Sequence, residues 1–249
     1  MPPPPPRITR RRLLAATALA GVALPAAAEV VRGALPWRPG EAYPPIAVRP
    51  DGNWVFFTPE EAATVEAVVD RLIPADDLGP GGKAAGCAVF IDRQLAGPYG
   101  SAAWWYMQGP FPSDPLPTQG FQSPDPPAVH WRKGLAALAQ YCRATFGNRG
   151  FAQLPRADQD KVLTALEKGE AQLPGVPARP FFEQMLSNTM EGYFADPIYG
   201  GNRDMAGWKL VGFPGTRYDY RDVLEKPGQP YTLPPVGIMG RPAWNGGQG

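Results

Sequence analysis

The chain has 249 residues, enough for one domain with a real core, and a formal net charge of +1. Charge so close to neutral gives no electrostatic reason to bind nucleic acid. A single histidine, His130, excludes a multi-histidine metal site and leaves only one residue for any Ser-His-Asp chemistry.

Residues 1–28 read as a leader. Arg10 and Arg11 form a twin arginine, Leu13 to Leu24 is an apolar run, and Ala26 and Ala28 sit before Glu29 as a small-residue exit. The run is too short to cross a bilayer as a helix, which takes about 20 residues. A charged start, apolar middle and small-residue exit match an export signal of the twin-arginine type. Removing the four arginines of this segment leaves 20 basic residues against 23 acidic ones, a net charge of −3. An uncleaved N-terminal anchor is the alternative.

Residues 29–57 hold five prolines with Trp37, Tyr43 and Trp54, so neither a helix nor a central strand fits. An extended arm is expected, its aromatics lying on the domain or on a partner. Thr58-Pro59-Glu60-Glu61 then opens a helix, with Thr58 as cap and Glu61 completing a capping box. Ala62, Val65, Val69 and Leu72 give it one apolar face. A second helix is expected over 84–95, with Ala88, Ile91 and Leu95 inward, stopped by Gly97-Pro98. Two nucleotide-like fragments precede it. Gly79, Gly81 and Ala84 follow a helix rather than a strand, and Gly82-Lys83 lacks the rest of a P-loop, so neither is a nucleotide site.

Residues 97–127 form a long irregular segment with Trp104, Trp105, Tyr106, Phe111 and Phe121. Structureless loops of this length are uncommon inside a domain, and such aromatics are enriched at protein interfaces. A partner surface is expected here. A helix follows with Asp125 as cap and Trp131, Leu135, Leu138, Cys142 and Phe146 inward, ended by Gly147. A shorter one is expected over 156–168, with Val162, Leu163 and Leu166 inward, and a last one over 179–194, with Phe181, Phe182, Met185 and Leu186 inward. His130, on a helix beside Trp131, reads as a surface or hydrogen-bonded structural residue. From 216 to 249 the chain is again irregular. The expectation is a mainly α single domain of about five helices over 58–215, between arms at 29–57 and 216–249.

Cys87 and Cys142 both fall on or near buried helix faces. An exported protein can keep a disulfide, but bridging depends on Cα separation, so a Cys87–Cys142 bridge and two buried thiols both fit. The chain has no C-x-x-C-H haem motif and too few thiolates for an iron–sulfur cluster. The pairs Glu60/Glu61 and Asp158/Asp160 lie at helix starts, where the dipole explains them, and Asp76/Asp77 lies in a turn. No base–nucleophile pair is apparent, so no catalytic, cofactor-binding or metal residue is assigned.

The most informative stretch is residues 191–215. Asp196-Pro197 ends the helix, Gly200-Gly201-Asn202 suits a tight reversal, and Tyr199, Trp208 and Phe213 must pack on the domain or on a partner. Glu191, Asp196, Arg203 and Asp204 could brace the reversal or meet a partner. The run FADPIYGGNRDMAGWKLVGFPG resembles the signature of the gluconate 2-dehydrogenase subunit 3 family, and the similarity extends from about Phe57 to Arg241, including the GPYG and MQGP elements. The resemblance implies a cofactor-free small subunit rather than an enzyme. It implies FAD in a flavoprotein large subunit that oxidises a sugar, polyol or sugar acid, and haem c in a cytochrome c subunit that accepts the electrons. It further implies export of the pair through the twin-arginine translocase to the periplasm, with attachment to the inner membrane through the cytochrome. Trp104, Trp105, Tyr106, Phe111, Tyr199, Asn202, Arg203 and Trp208 are the expected partner-facing residues. The alternative is a stand-alone exported enzyme, or a secreted binding module.

Overall fold

Helix α1, Pro59–Leu72, begins as its sequence dictates. Thr58 Oγ1 accepts from the Glu61 N–H while a Glu61 carboxylate oxygen accepts from the Thr58 N–H at 2.8 Å. This computed structural model describes residues 54–112, 116–216 and 220–238. The leader, the arm up to residue 53 and residues 239–249 lie outside them, so the twin-arginine assignment of Arg10 and Arg11 does too. Among the described residues there are six α-helices and no β-strand, a mainly α fold.

Helix α2 is Cys87–Ala96, α3 Pro127–Thr145, α4 Arg156–Glu167, α5 Ala178–Phe194 and α6 Ala206–Val211. The organising element is α5, which contacts each of the other five helices. Such a helix needs apolar residues on more than one side. Phe181, Phe182, Met185, Gly192 and Tyr193 are buried, together with Asn188 and Thr189. Thr189 satisfies its hydroxyl on Met185 O at 2.7 Å. Leu186, expected inward, is instead partly exposed, because the buried stripe passes through Met185 and Asn188.

Trp131 of α3 is fully buried between Phe57 and Phe181, with ring centroids 5.9 Å from each. Removing a ring from such a site costs about 3–5 kcal/mol. Helix α4 presents Val162, Leu163 and Leu166 to the core, as its spacing predicts. Arg71 of α1 fixes its position by a fork to both Asp160 oxygens, at 2.7 and 3.0 Å.

Two helix starts differ from expectation. Helix α2 begins at Cys87, three residues late, because Gly86 is left-handed at φ 82° and residues 82–86 are turns. Helix α3 is preceded by Pro126, and Asp125 binds Lys133 rather than capping. Helix α6 was not expected at all.

Candidate functional site

The 191–215 stretch folds back on the C-terminal end of α5. Asn202 is its pivot. It is fully buried at φ 45°, its amide nitrogen donates to Ala195 O at 2.8 Å, and its Oδ1 accepts the Gly207 N–H at 2.8 Å. One side chain thus binds the end of α5 to the start of α6. Trp208 adds a second tie, its indole N–H donating to Phe194 O at 2.7 Å, with the ring only 4% exposed. Gly201 lies flat on the α5 backbone, where a Cβ would meet Gly192 O at 2.0 Å. No other residue fits that contact.

The reversal is also held from outside. The Arg203 N–H donates to Ala85 O at 3.0 Å, and the Tyr193 hydroxyl to Pro80 O at 2.8 Å. Asp196 accepts from the Ile198 N–H at 3.0 Å and from the Ile238 N–H at 2.7 Å. Gly215 and Val236 form a parallel bridge, so part of the C-terminal arm is strapped to the stretch.

These facts correct two expectations. Asn202 and Trp208 face inward and bear the local fold; they do not present a partner surface. Tyr199 and Arg203 remain exposed, as do Leu210, Val211 and Phe213 on and after α6. Of the four charged residues expected to brace the reversal or meet a partner, Asp196 braces it with its side chain and Arg203 with its backbone, while Asp204 is exposed at φ 57°. Glu191 instead accepts from Ser187 and Asn188, both at 3.0 Å.

The irregular segment after α2 is anchored at its root and open at its tip. Tyr99 exchanges hydrogen bonds with Asn188, which also accepts the Trp131 indole N–H at 3.0 Å. Burial pushes the Tyr99 phenol above its ordinary pKa, against Asn188 and Gln184, which favour its ionised form. Trp105 packs edge-on to Tyr99 and at 4.7 Å from Phe121. Trp104 and Tyr106, on either side, are 82% and 79% exposed, and Phe111 is half-buried. Residues 97–124 contain one charged residue, Asp114. Exposed Trp and Tyr with almost no charge is the composition of an interface centre rather than of an ordinary surface.

A third feature was not legible beforehand. Asp92 on α2 is fully buried, and its carboxylate accepts the N–H groups of Val55, Phe56 and Phe57 at 2.8–2.9 Å. It clamps the last residues of the N-terminal arm to the core. Arg132 supports the same junction from α3, reaching Phe56 O and the Glu61 carboxylate while its guanidinium lies 4.0 Å over the Phe56 ring.

Cys87 and Cys142 are both buried free thiols, so the bridge gives way to the other reading. Burial pushes Cys87 up to about 12 and Cys142 up to about 11, so neither is a nucleophile at neutral pH. His130 Nδ1 lies 2.6 Å from Gln184 Oε1 and its ring packs edge-on to Phe181, the structural role expected of it. Lys83 pairs with Glu66 at 2.9 Å. Among the described residues, no three His, Cys, Asp or Glu side chains gather as a metal site, and no helix is long and apolar enough to cross a membrane. The described surface carries an aromatic tip with almost no charge, Leu210 and Val211 exposed on α6, and a braced reversal with an exposed Arg203.

No curated protein and no solved structure matches the chain. The family model for gluconate 2-dehydrogenase subunit 3 matches residues 59–215, from the first residue of α1 to the glycine that bridges to Val236. The chain belongs to the gluconate 2-dehydrogenase subunit 3 family.

Proposed function

We propose that this chain is a cofactor-free accessory subunit of a periplasmic FAD-dependent sugar, polyol or sugar-acid dehydrogenase. It binds the flavoprotein, carries it through the twin-arginine translocase and stabilises it afterwards. The flavoprotein holds FAD and oxidises the substrate. A cytochrome c subunit accepts the electrons and holds the complex at the inner membrane. Family membership supports the dehydrogenase partner, and residues 1–28 support the export route.

The observation that carries the reading is the exposed aromatic tip at Trp104 and Tyr106 on a root fixed by Tyr99, Asn188 and Trp105. Leaving such rings in water forgoes a few kcal/mol each at about 25 cal/mol per Å². That is sensible where a partner covers them. The export mechanism is one of transport by association, in which a chain with a signal binds one without and the folded pair crosses together.

The test is co-expression of the flavoprotein with a chain lacking residues 1–28. Dehydrogenase activity should then stay in the cytoplasm. Full periplasmic activity after the deletion would end the export reading. Sugar oxidation by the purified mature chain alone would end the accessory reading.

A further inference from the structure

Beside α1 runs an open groove of about 380 Å³, with Trp54, Ala84, Ala88 and Val89 as its apolar lining. Four charges border it: Glu66, Asp70, Lys83 and Arg203. Three of them are neutralised within the chain. Lys83 Nζ lies 2.9 Å from Glu66, and Arg156 reaches across to Asp70 at 3.2 Å. Arg203 is left over, with an exposed guanidinium and no ion pair among the described residues.

The position of Arg203 is fixed rather than incidental. Its N–H is held by Ala85 O at 3.0 Å. Its guanidinium lies over Gly86, where a Cβ would stand 3.5 Å from Nη2 and 2.6 Å from Gly200 O. Gly86 is at φ 82°, so both its backbone and its bareness serve this contact. The braced reversal therefore delivers one guanidinium fork to the edge of an apolar groove. A guanidinium matches a carboxylate by two parallel hydrogen bonds. With the Lys83–Glu66 and Arg156–Asp70 pairs cancelling, the groove carries one uncompensated positive charge, which a single carboxylate neutralises and a phosphate dianion exceeds. The groove suits a single carboxylate beside an apolar side chain.

We propose that this groove is a second docking point for the flavoprotein, seating one Asp or Glu of that partner's surface on Arg203 and a neighbouring apolar side chain on Trp54 and Val89. It rests on the partner assignment above. It stands at the opposite end of α2 from the aromatic segment, about 15 Å away by helix rise, so the two contacts would fix the orientation of the pair.

The experiment measures the affinity of the mature chain for the purified flavoprotein by interferometry, at low and high salt. The variants are Arg203→Ala, Arg203→Glu, Arg203→Lys and Ala84→Trp. Arg203→Ala should weaken binding about tenfold or more at low salt and much less at high salt. Arg203→Glu should weaken it further, and Arg203→Lys should fall between because it lacks the fork. Ala84→Trp fills the groove without changing charge and should weaken binding at both salt levels. All four isolated chains should melt as the wild type does, since both side chains are exposed. If the wild type binds and both Arg203→Glu and Ala84→Trp bind equally well, the groove assignment is wrong and the partner reading survives. If the wild type does not bind the flavoprotein, both fall. Self-association of the wild type that Arg203→Glu abolishes would give the groove to a second copy and overturn the proposal.

Discussion

Asn202 and Gly207 are joined by a buried hydrogen bond of 2.8 Å that ties the reversal to the start of α6. The same Asn202 holds Ala195 O with its other end. Replacing Asn202 by Ala leaves the buried Gly207 N–H and the half-buried Ala195 carbonyl without this partner, and keeps a side chain at φ 45° that no longer bonds anything. A loss of about 2–4 kcal/mol is expected in urea unfolding of the mature chain. A loss below about 0.5 kcal/mol, the level of an ordinary surface change, would show that the bonds are not structural.

Asp92 accepts three successive backbone N–H groups, and Asn can accept at most two of them through its one oxygen. Asp92→Asn should cost about 2–3 kcal/mol. Limited proteolysis should then cut near Trp54 to Phe57 faster than in the wild type. Protection equal to the wild type would mean the arm is held by its aromatics alone.

The start of α1 and the apolar stripes of the longer helices were legible, because their causes are local. The Thr58–Glu61 box and the Val162, Leu163 and Leu166 face follow from residues within one or two turns. Asp92 and Asn188 were not, since the backbone that Asp92 clamps and the Tyr99 and Trp131 side chains that Asn188 binds lie 35 or more residues away in the chain. Asn202 and Trp208 were misjudged for a related reason. A glycine-rich run with an indole in it reads as a loop with something to offer, and a helix of six residues has too few turns to show a period. Trp104 and Tyr106 are exposed, while Trp105 between them packs on Tyr99 and Phe121. The root of this segment on Asn188 could be seen only once α5 was in place.

The buried thiols give a chemical and a pH prediction. At pH 8 the native chain should resist iodoacetamide at Cys87 and Cys142, whereas in denaturant without reductant both should react. Protection that persists in denaturant would mean a bridge. The thiols also bear on alkaline stability. A thiol raised to about 12 in the fold but ordinary near 9 when unfolded stays protonated only in the native state, so its contribution is complete below 9 and fades above it. The Cys87→Ala variant should lose less stability than the wild type as pH rises past 9, read as melting temperature against pH.

Glu61 supplies the opposite sign. Burial raises its pKa, but Arg132 and the Thr58 N–H and hydroxyl outweigh that, and it falls below its ordinary 4.5. Its contribution is therefore complete above 4.5 and is lost as pH falls through the depressed value. Glu61→Gln should cost about 1 kcal/mol at neutral pH and show a shallower loss in acid. An acid profile parallel to the wild type would remove Glu61 from the account.

Trp104→Ala and Trp131→Ala should separate recognition from folding. Trp131→Ala should cost about 3–5 kcal/mol of stability. Trp104→Ala should leave stability within about 0.5 kcal/mol and weaken flavoprotein binding by roughly 2 kcal/mol or more. Full binding by Trp104→Ala would move the interface elsewhere.

The Asp196–Ile238 bond and the Gly215–Val236 bridge close the reversal with a segment that the chain supplies only about twenty residues after Gly215. A protease cut between Gly215 and Val236 would therefore do more than shorten an arm. It would leave Asp196 and Gly215 to partners no longer tethered to them, and the damage would be felt at the end of α5.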